Sequence, residues 1–288
     1  MLISIIKKQT WRLFVAYNGT NYHGWQLNNK LPTIELELKK ALYKITNQDI
    51  FLRVAGRTDA GVHARAQVVS CRFISKFNSK KLVLALSSVL PNDISVWRAD
   101  EMHQDFHAKN QCIGKSYVYR IDLSLAKDIF AGNQRWYFHK NLNLKKMRKA
   151  SKYFIGEHNF KNFRSNHGDA IHAYRYLWLI KIKKYKNLIE INIRGNAFCY
   201  KMIRIIVGTL VDVALEKLKY INVKNMLDAT NKQLYLRIAP ANGLTLEEVY
   251  YPDNLKNSLL PLNVIFPKYP SILDAWKQIS NQIKIGQI

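Results

Sequence analysis

A chain of 288 residues, 48% of them hydrophobic, can bury one large core or two modest ones, which excludes disorder as a description of the whole. Its 45 lysines and arginines against 20 aspartates and glutamates leave a formal charge of +25, more than solubility needs: either the partner is a polyanion, or the surface is rich in solvated lysine. Cys71, Cys112 and Cys199 are widely separated, the apolar Leu2 to Ile6 stretch precedes rather than follows its lysines, and no apolar run is long enough for a bilayer; a soluble cytoplasmic protein without disulfides or zinc is expected.

Residues 10 to 17 are aromatic and branched and end at Asn18-Gly19, which predicts a strand and a turn. Thr33 is placed to cap a helix whose apolar face carries Ile34, Leu38, Ala41, Leu42 and Ile45. Strands are predicted over 50–55 and 66–74, with Gly56 to Ala64 as the loop between them. A second helix opens at Ser79, ends at Pro91-Asn92-Asp93, and leads to a strand over 94–98. The order is β-α-β-β-α-β.

A similar order follows: a strand at Tyr117 to Ile121, a helix over 144–154, strands over 174–184 and 188–194 around a turn at Lys186-Asn187, a helix over 198–218, and a strand over 244–250. The expected fold is α+β, with two ferredoxin-like or RRM-like halves whose antiparallel sheets flank a central cleft. The expected division is an N-terminal half over 1–108, a C-terminal half over 109–251, and an irregular tail over 252–288 that carries Pro252, Pro261, Pro267 and Pro270.

Asp59 stands out chemically. Gly56 and Gly61 flank it, so the backbone can bend there and approach a ligand closely. Arg57, His63 and Arg65 surround it with cationic groups that favour the carboxylate, the form a nucleophile needs. A turn aspartate paired with Arg57 accounts for the same spacing equally well. Asp93, Asp100, Glu101, Asp105 and Asp122 sit in no comparable loop, so a two-carboxylate hydrolase has little support. His103 and His107 lack a third ligand at a recognisable spacing, and no metal is expected. Lys145, Lys149 and Lys152 share a helical face beside Tyr153-Phe154, a stripe suited to a phosphate backbone or to plain solvation. Arg204 interrupts the apolar run from Met202 to Gly208, and a guanidinium buried there calls for an anion such as Asp212 or Asp59.

These residues resemble the tRNA pseudouridine synthase A family. The resemblance rests on residues 56–64, on Tyr17 to Thr20 with Gly24-Trp25-Gln26, and on Leu90 to Ile94. It continues through Asp105 to Ala108, Tyr117 and Tyr119, Phe160 with Phe163-Arg164, Asn196 to Phe198, Met202 to Gly208 and Gly243-Leu244, in order from about Trp11 to Pro252. The resemblance implies isomerisation of uridine to pseudouridine in the anticodon stem-loop of tRNA, at tRNA positions 38 to 40, by a homodimer without metal or organic cofactor. It makes Asp59 the nucleophile, Arg204 the cation that keeps it ionised, and Tyr117 the ring that stacks on the target base and helps remove the C5 proton. Arg57, His63 and Lys109 become substrate contacts, Arg57 holding the target nucleotide out of the stack. Lys109 stands where the family usually has arginine, which exchanges a forked phosphate contact for a point charge. The competing class is a catalytically silent RNA-binding protein, but a carboxylate facing a phosphate backbone would serve it poorly.

Overall fold

The computed structural model describes residues 8–28, 30–165, 172–228 and 236–252. The tail over 253–288 lies outside the described residues. The chain is α+β and divides into two compact units, one reaching to Ile113 and resuming at Leu246, the other running from Gly114 to Thr245.

In the first unit β1 (Lys8–Tyr17) lies between β4 (Ile94–Met102) and β3 (His63–Ile74), antiparallel to both. β10 (Leu244–Tyr250) and the two-residue β2 (Arg53–Val54) also pair with β3. Alternation decides the faces of β1: Trp11, Leu13 and Val15 are fully buried and stand opposite Cys71, Val69 and Gln67. α1 (Ile34–Thr46) buries the predicted Ile34, Leu38, Ala41 and Leu42. The Thr33 hydroxyl caps it by accepting from the Leu36 amide, and Asn47 ends it in the left-handed region. α2 (Ser79–Ser87), capped by Asn78, packs on β4 and α1. On the other face of β1 the Arg12 guanidinium donates to Asp100 at 2.7 Å and lies over the rings of Phe14 and Phe106.

Two sequence expectations change here. The strand expected over 50–55 is a ladder only at Arg53 and Val54; the Ala55 amide still bonds the Val68 carbonyl in the same register, and the chain bends away at Ala55 and Gly56. β3 begins three residues earlier than expected, since Tyr17 pairs with Ala64; His63 and Ala64 therefore belong to a strand, and the loop narrows to residues 56–62.

In the second unit the sheet runs β5 (Gly114–Asp122), β9 (Leu188–Gly195), β8 (Tyr174–Tyr185), β7 (Gly156–Asn159), with the short β6 (Trp136–Tyr137) parallel to β5. Tyr117, Tyr119 and Ile121 stand opposite Ile193, Ile191 and Ile189, so one face is a continuous apolar layer. α3 (Leu144–Ser151) and α4 (Met202–Ala214) pack together, and α5 (Asn222–Asp228) follows. The helix expected over 198–218 is shorter at both ends. Asn196 binds Tyr176 through its main chain and its side chain, which holds the preceding chain at the strand edge, and Glu216 adopts a positive φ of 62° just past the end.

Candidate functional site

Asp59 occupies the first position of a tight turn. Its carbonyl accepts from the Val62 amide at 3.1 Å, and Gly61 at the third position has a φ of 77°, the conformation a type II turn demands there. The carboxylate is half-buried, Arg57 is exposed, and Thr58 between them is buried. Thr58 is gripped twice: its hydroxyl shares a 2.8 Å hydrogen bond with the Tyr17 phenol, and its carbonyl accepts from the Trp25 amide at 3.0 Å. Gly61 donates to the Tyr22 carbonyl at 3.2 Å, and Gln67 donates to the Gly56 carbonyl at 2.8 Å. Burial pushes the Tyr17 phenol up to about 12, against the hydrogen bonds of Thr58 and Gln67, so it remains a neutral partner at physiological pH.

The chain over 19–25 lies directly against this turn. A Cβ on Gly24 would fall 2.6 Å from the Thr58 carbonyl oxygen and 3.1 Å from the Asp59 carbonyl carbon, and Gly24 has a φ of 87°; space and backbone both demand glycine. His63 is buried, and its Nδ1 accepts from the Gly19 amide at 3.1 Å, which places the ring proton on Nε2. Lys109 is exposed, its amide donating to His107 Nδ1 at 3.2 Å. Burial, reinforced by Arg53 and Lys109, holds His107 below the usual imidazole range.

Tyr117 on β5 is buried, its ring edge-on to Phe198 with centroids 5.2 Å apart. Arg204 lies in the first turn of α4 and is half-buried. Its Nε donates to the Ala239 carbonyl at 2.8 Å, and its own carbonyl accepts from the Ala239 amide. Asp212, named above as a possible partner, is two helical turns away, about 12 Å along the axis, and accepts Arg237 at 2.8 Å instead. Tyr119, two residues beyond Tyr117, donates to the Pro240 carbonyl; burial drives its phenol well up against the pull of Arg204.

Four of the other carboxylates have polar partners. Asp93 accepts the Tyr22 phenol, Asp100 accepts Arg12 and Arg98, Asp105 lies 3.4 Å from His103, and Asp122 accepts Arg135 and the Ser124 amide. Part of the basic stripe is committed as well: Lys149 lies over the Tyr220 ring, and the neighbouring Lys146 pairs with Glu216 while Arg148 donates to the Ile182 carbonyl. Among the described residues no cluster of three or more His, Cys, Asp or Glu could hold a metal, and no helix is long and apolar enough to cross a membrane.

The family model for tRNA pseudouridine synthase matches residues 150–252. The chain is 35% identical over 241 residues to tRNA pseudouridine synthase A of Ruminiclostridium cellulolyticum, covering 83% of this chain and 98% of that protein. It is 37% identical over 239 residues to the protein of the same name from Thermoanaerobacter sp. strain X514, with the same coverage of each. The chain belongs to the tRNA pseudouridine synthase A family. Membership spans both compact units. Against this family frame, the residues that sequence reasoning missed are those that support the turn: Tyr17, Tyr22, Gln67 and Asp93. Tyr17 carried a resemblance but no role, Tyr22 carried no signal, and Asp93 read as a helix stop, a carboxylate in no comparable loop and part of the Leu90 to Ile94 resemblance.

Proposed function

We propose that this chain converts uridine to pseudouridine in the anticodon stem-loop of tRNA, with Asp59 as nucleophile. Family membership over most of the chain carries the reaction. In the isomerisation the C1′ to N1 bond of the target uridine breaks, the uracil turns, C5 bonds to C1′, C5 gives up its proton, and N1 gains one. Asp59 promotes the cleavage, and its support is chemical: it is a half-buried aspartate on a turn held by the bond between the Thr58 hydroxyl and the Tyr17 phenol, by the Trp25 amide donating to the Thr58 carbonyl, and by the Gly61 amide donating to the Tyr22 carbonyl. Arg204 keeps it ionised, and Tyr117 stacks on the base and assists loss of the C5 proton. The exposed Arg57 fills the gap left by the extruded nucleotide, and Lys109 meets a phosphate. His63, being buried, serves substrate binding through the loop it supports. The two units are read as ferredoxin-like halves, and the active species as a cytoplasmic homodimer that needs no cofactor.

The decisive experiment is tritium release from tRNA labelled at uracil C5, with Asp59→Asn beside the wild type. The wild type should release label and the variant should retain tRNA without releasing it. Equal release by both removes Asp59 from the mechanism. Retention without release by the wild type on every tRNA favours a silent RNA-binding protein.

A further inference from the structure

The turn that presents Asp59 hangs on residues 17–25, and most of that segment is neither strand nor helix. Beyond the end of β1 it holds one short helical turn, Gly19–Asn21. Its position must therefore come from elsewhere. Asp93 supplies it at two points. The Asp93 carbonyl accepts from the Asn18 amide at 2.9 Å, and its carboxylate accepts the Tyr22 phenol at 2.5 Å. Asp93 immediately precedes Ile94, which pairs with Tyr17 at the edge of the sheet, so the anchor is itself rigid. Tyr22 is 7% exposed and Asp93 half-buried, and a phenol donating to a carboxylate is a charge-assisted, directional link. Burial and then Asp93 drive the Tyr22 phenol well above its ordinary range, so the donor proton stays in place through the physiological range.

We propose that Asp93 and Tyr22 are positioning residues for the nucleophile. The path runs from the Asp93 carboxylate to the Tyr22 phenol, along Tyr22 to its own carbonyl, and from there to the Gly61 amide in the Asp59 turn. Neither residue touches substrate; both set where the carboxylate stands. The assignment rests on Asp59 being the nucleophile. A nucleophile displaced by about 1 Å can lose ~10²-fold in rate while ground-state binding, spread over many phosphate contacts, is kept.

The test is steady-state tritium release by Tyr22→Phe, Asp93→Ala, Asp93→Asn and the double variant Tyr22→Phe/Asp93→Ala, with Asp59→Asn as control. Tyr22→Phe and Asp93→Ala should each lower kcat about tenfold to hundredfold with KM within about twofold of the wild type. The double variant should be no worse than either single one, because both remove the same link. Asp93→Asn, which keeps an acceptor oxygen, should recover kcat to within a few fold of the wild type. Wild-type kcat in Tyr22→Phe, losses that multiply in the double variant, or a rise in KM at constant kcat would overturn the proposal. If Asp93→Ala does not fold, Tyr22→Phe and Asp93→Asn still decide it. If Asp59→Asn turns over like the wild type, the nucleophile assignment falls and takes the proposal with it. If Asp59→Asn is inert while Tyr22→Phe is unimpaired, only the brace falls.

Discussion

The turn around Asp59 and the elements that carry Tyr117 and Arg204 achieve fixed side chains by different means. Tyr117 sits mid-strand on β5 and Arg204 in the first turn of α4, so regular backbone hydrogen bonds and apolar packing place them. The Asp59 turn has no ladder of its own. It is held by a few separate hydrogen bonds: two at Thr58, to Tyr17 and Trp25, one between Gly61 and Tyr22, and one from Gln67 to Gly56. A packed element spreads its support over many weak contacts, whereas a pinned turn concentrates it in a few bonds. Substitutions of one polar atom should therefore matter near Asp59, and loss of one packing contact should matter less near Tyr117.

The largest effect that would sharpen this contrast is expected for Arg204→Met. Removing the guanidinium should lower tritium release about 10²-fold to 10³-fold, while losing the Ala239 hydrogen bond costs only about 1 kcal/mol in stability. Loss of soluble protein instead would make Arg204 a packing residue. Gly24→Ala should come next, with kcat down about 10²-fold, since the methyl must displace Thr58 and Asp59 main chain and the φ of 87° opposes it. Equal kcat for Gly24→Ala and wild type would show that the turn is not pinned as described. Phe198→Ala removes only the edge-on partner of Tyr117, an interaction worth about 0.5–1.5 kcal/mol beyond area burial, and should change kcat/KM by less than about tenfold.

The smallest effect concerns pH. Burial alone would raise the Asp100 carboxyl, but hydrogen bonds and charge from Arg98 and Arg12 outweigh it and hold it below the ordinary carboxylate range. Asp122 is lowered in the same way, burial opposed by Ser124 and Arg135. A carboxyl whose folded pKa is depressed adds stability that is present above its unfolded pKa, about 3.9, and is lost as pH falls through the lower folded value. Thermal unfolding followed from pH 5 to pH 2 should show this loss below about pH 4. Asp100→Asn should be less stable by about 1–2 kcal/mol at pH 7 and lose less on acidification. A variant with the same acid slope as the wild type would exclude Asp100 as a source.

Much of this architecture was legible in the sequence. Leu38 and Leu42 announced the buried face of α1, the aromatic and branched run ending at Asn18-Gly19 announced β1, and Lys186-Asn187 announced the β8–β9 hairpin. The errors lay at ends and in short elements: β2 shrank to two residues, β3 reached back to His63, α4 lost both termini, and β6, β7 and α5 were not expected. Ends depend on which neighbour takes a backbone group, and Asn196 bonding to Tyr176 is invisible to periodicity.

By itself the sequence determined the element types, the apolar faces and the candidacy of Asp59, because side-chain period and glycine punctuation are local properties. Tertiary structure alone decided that His63 is buried beneath Gly19, that Asp212 belongs to Arg237, and that Asp93 meets Tyr22 across 71 residues. Such pairings form only when the fold closes long loops and removes water from the partners, and no local pattern records which distant group will then accept the proton.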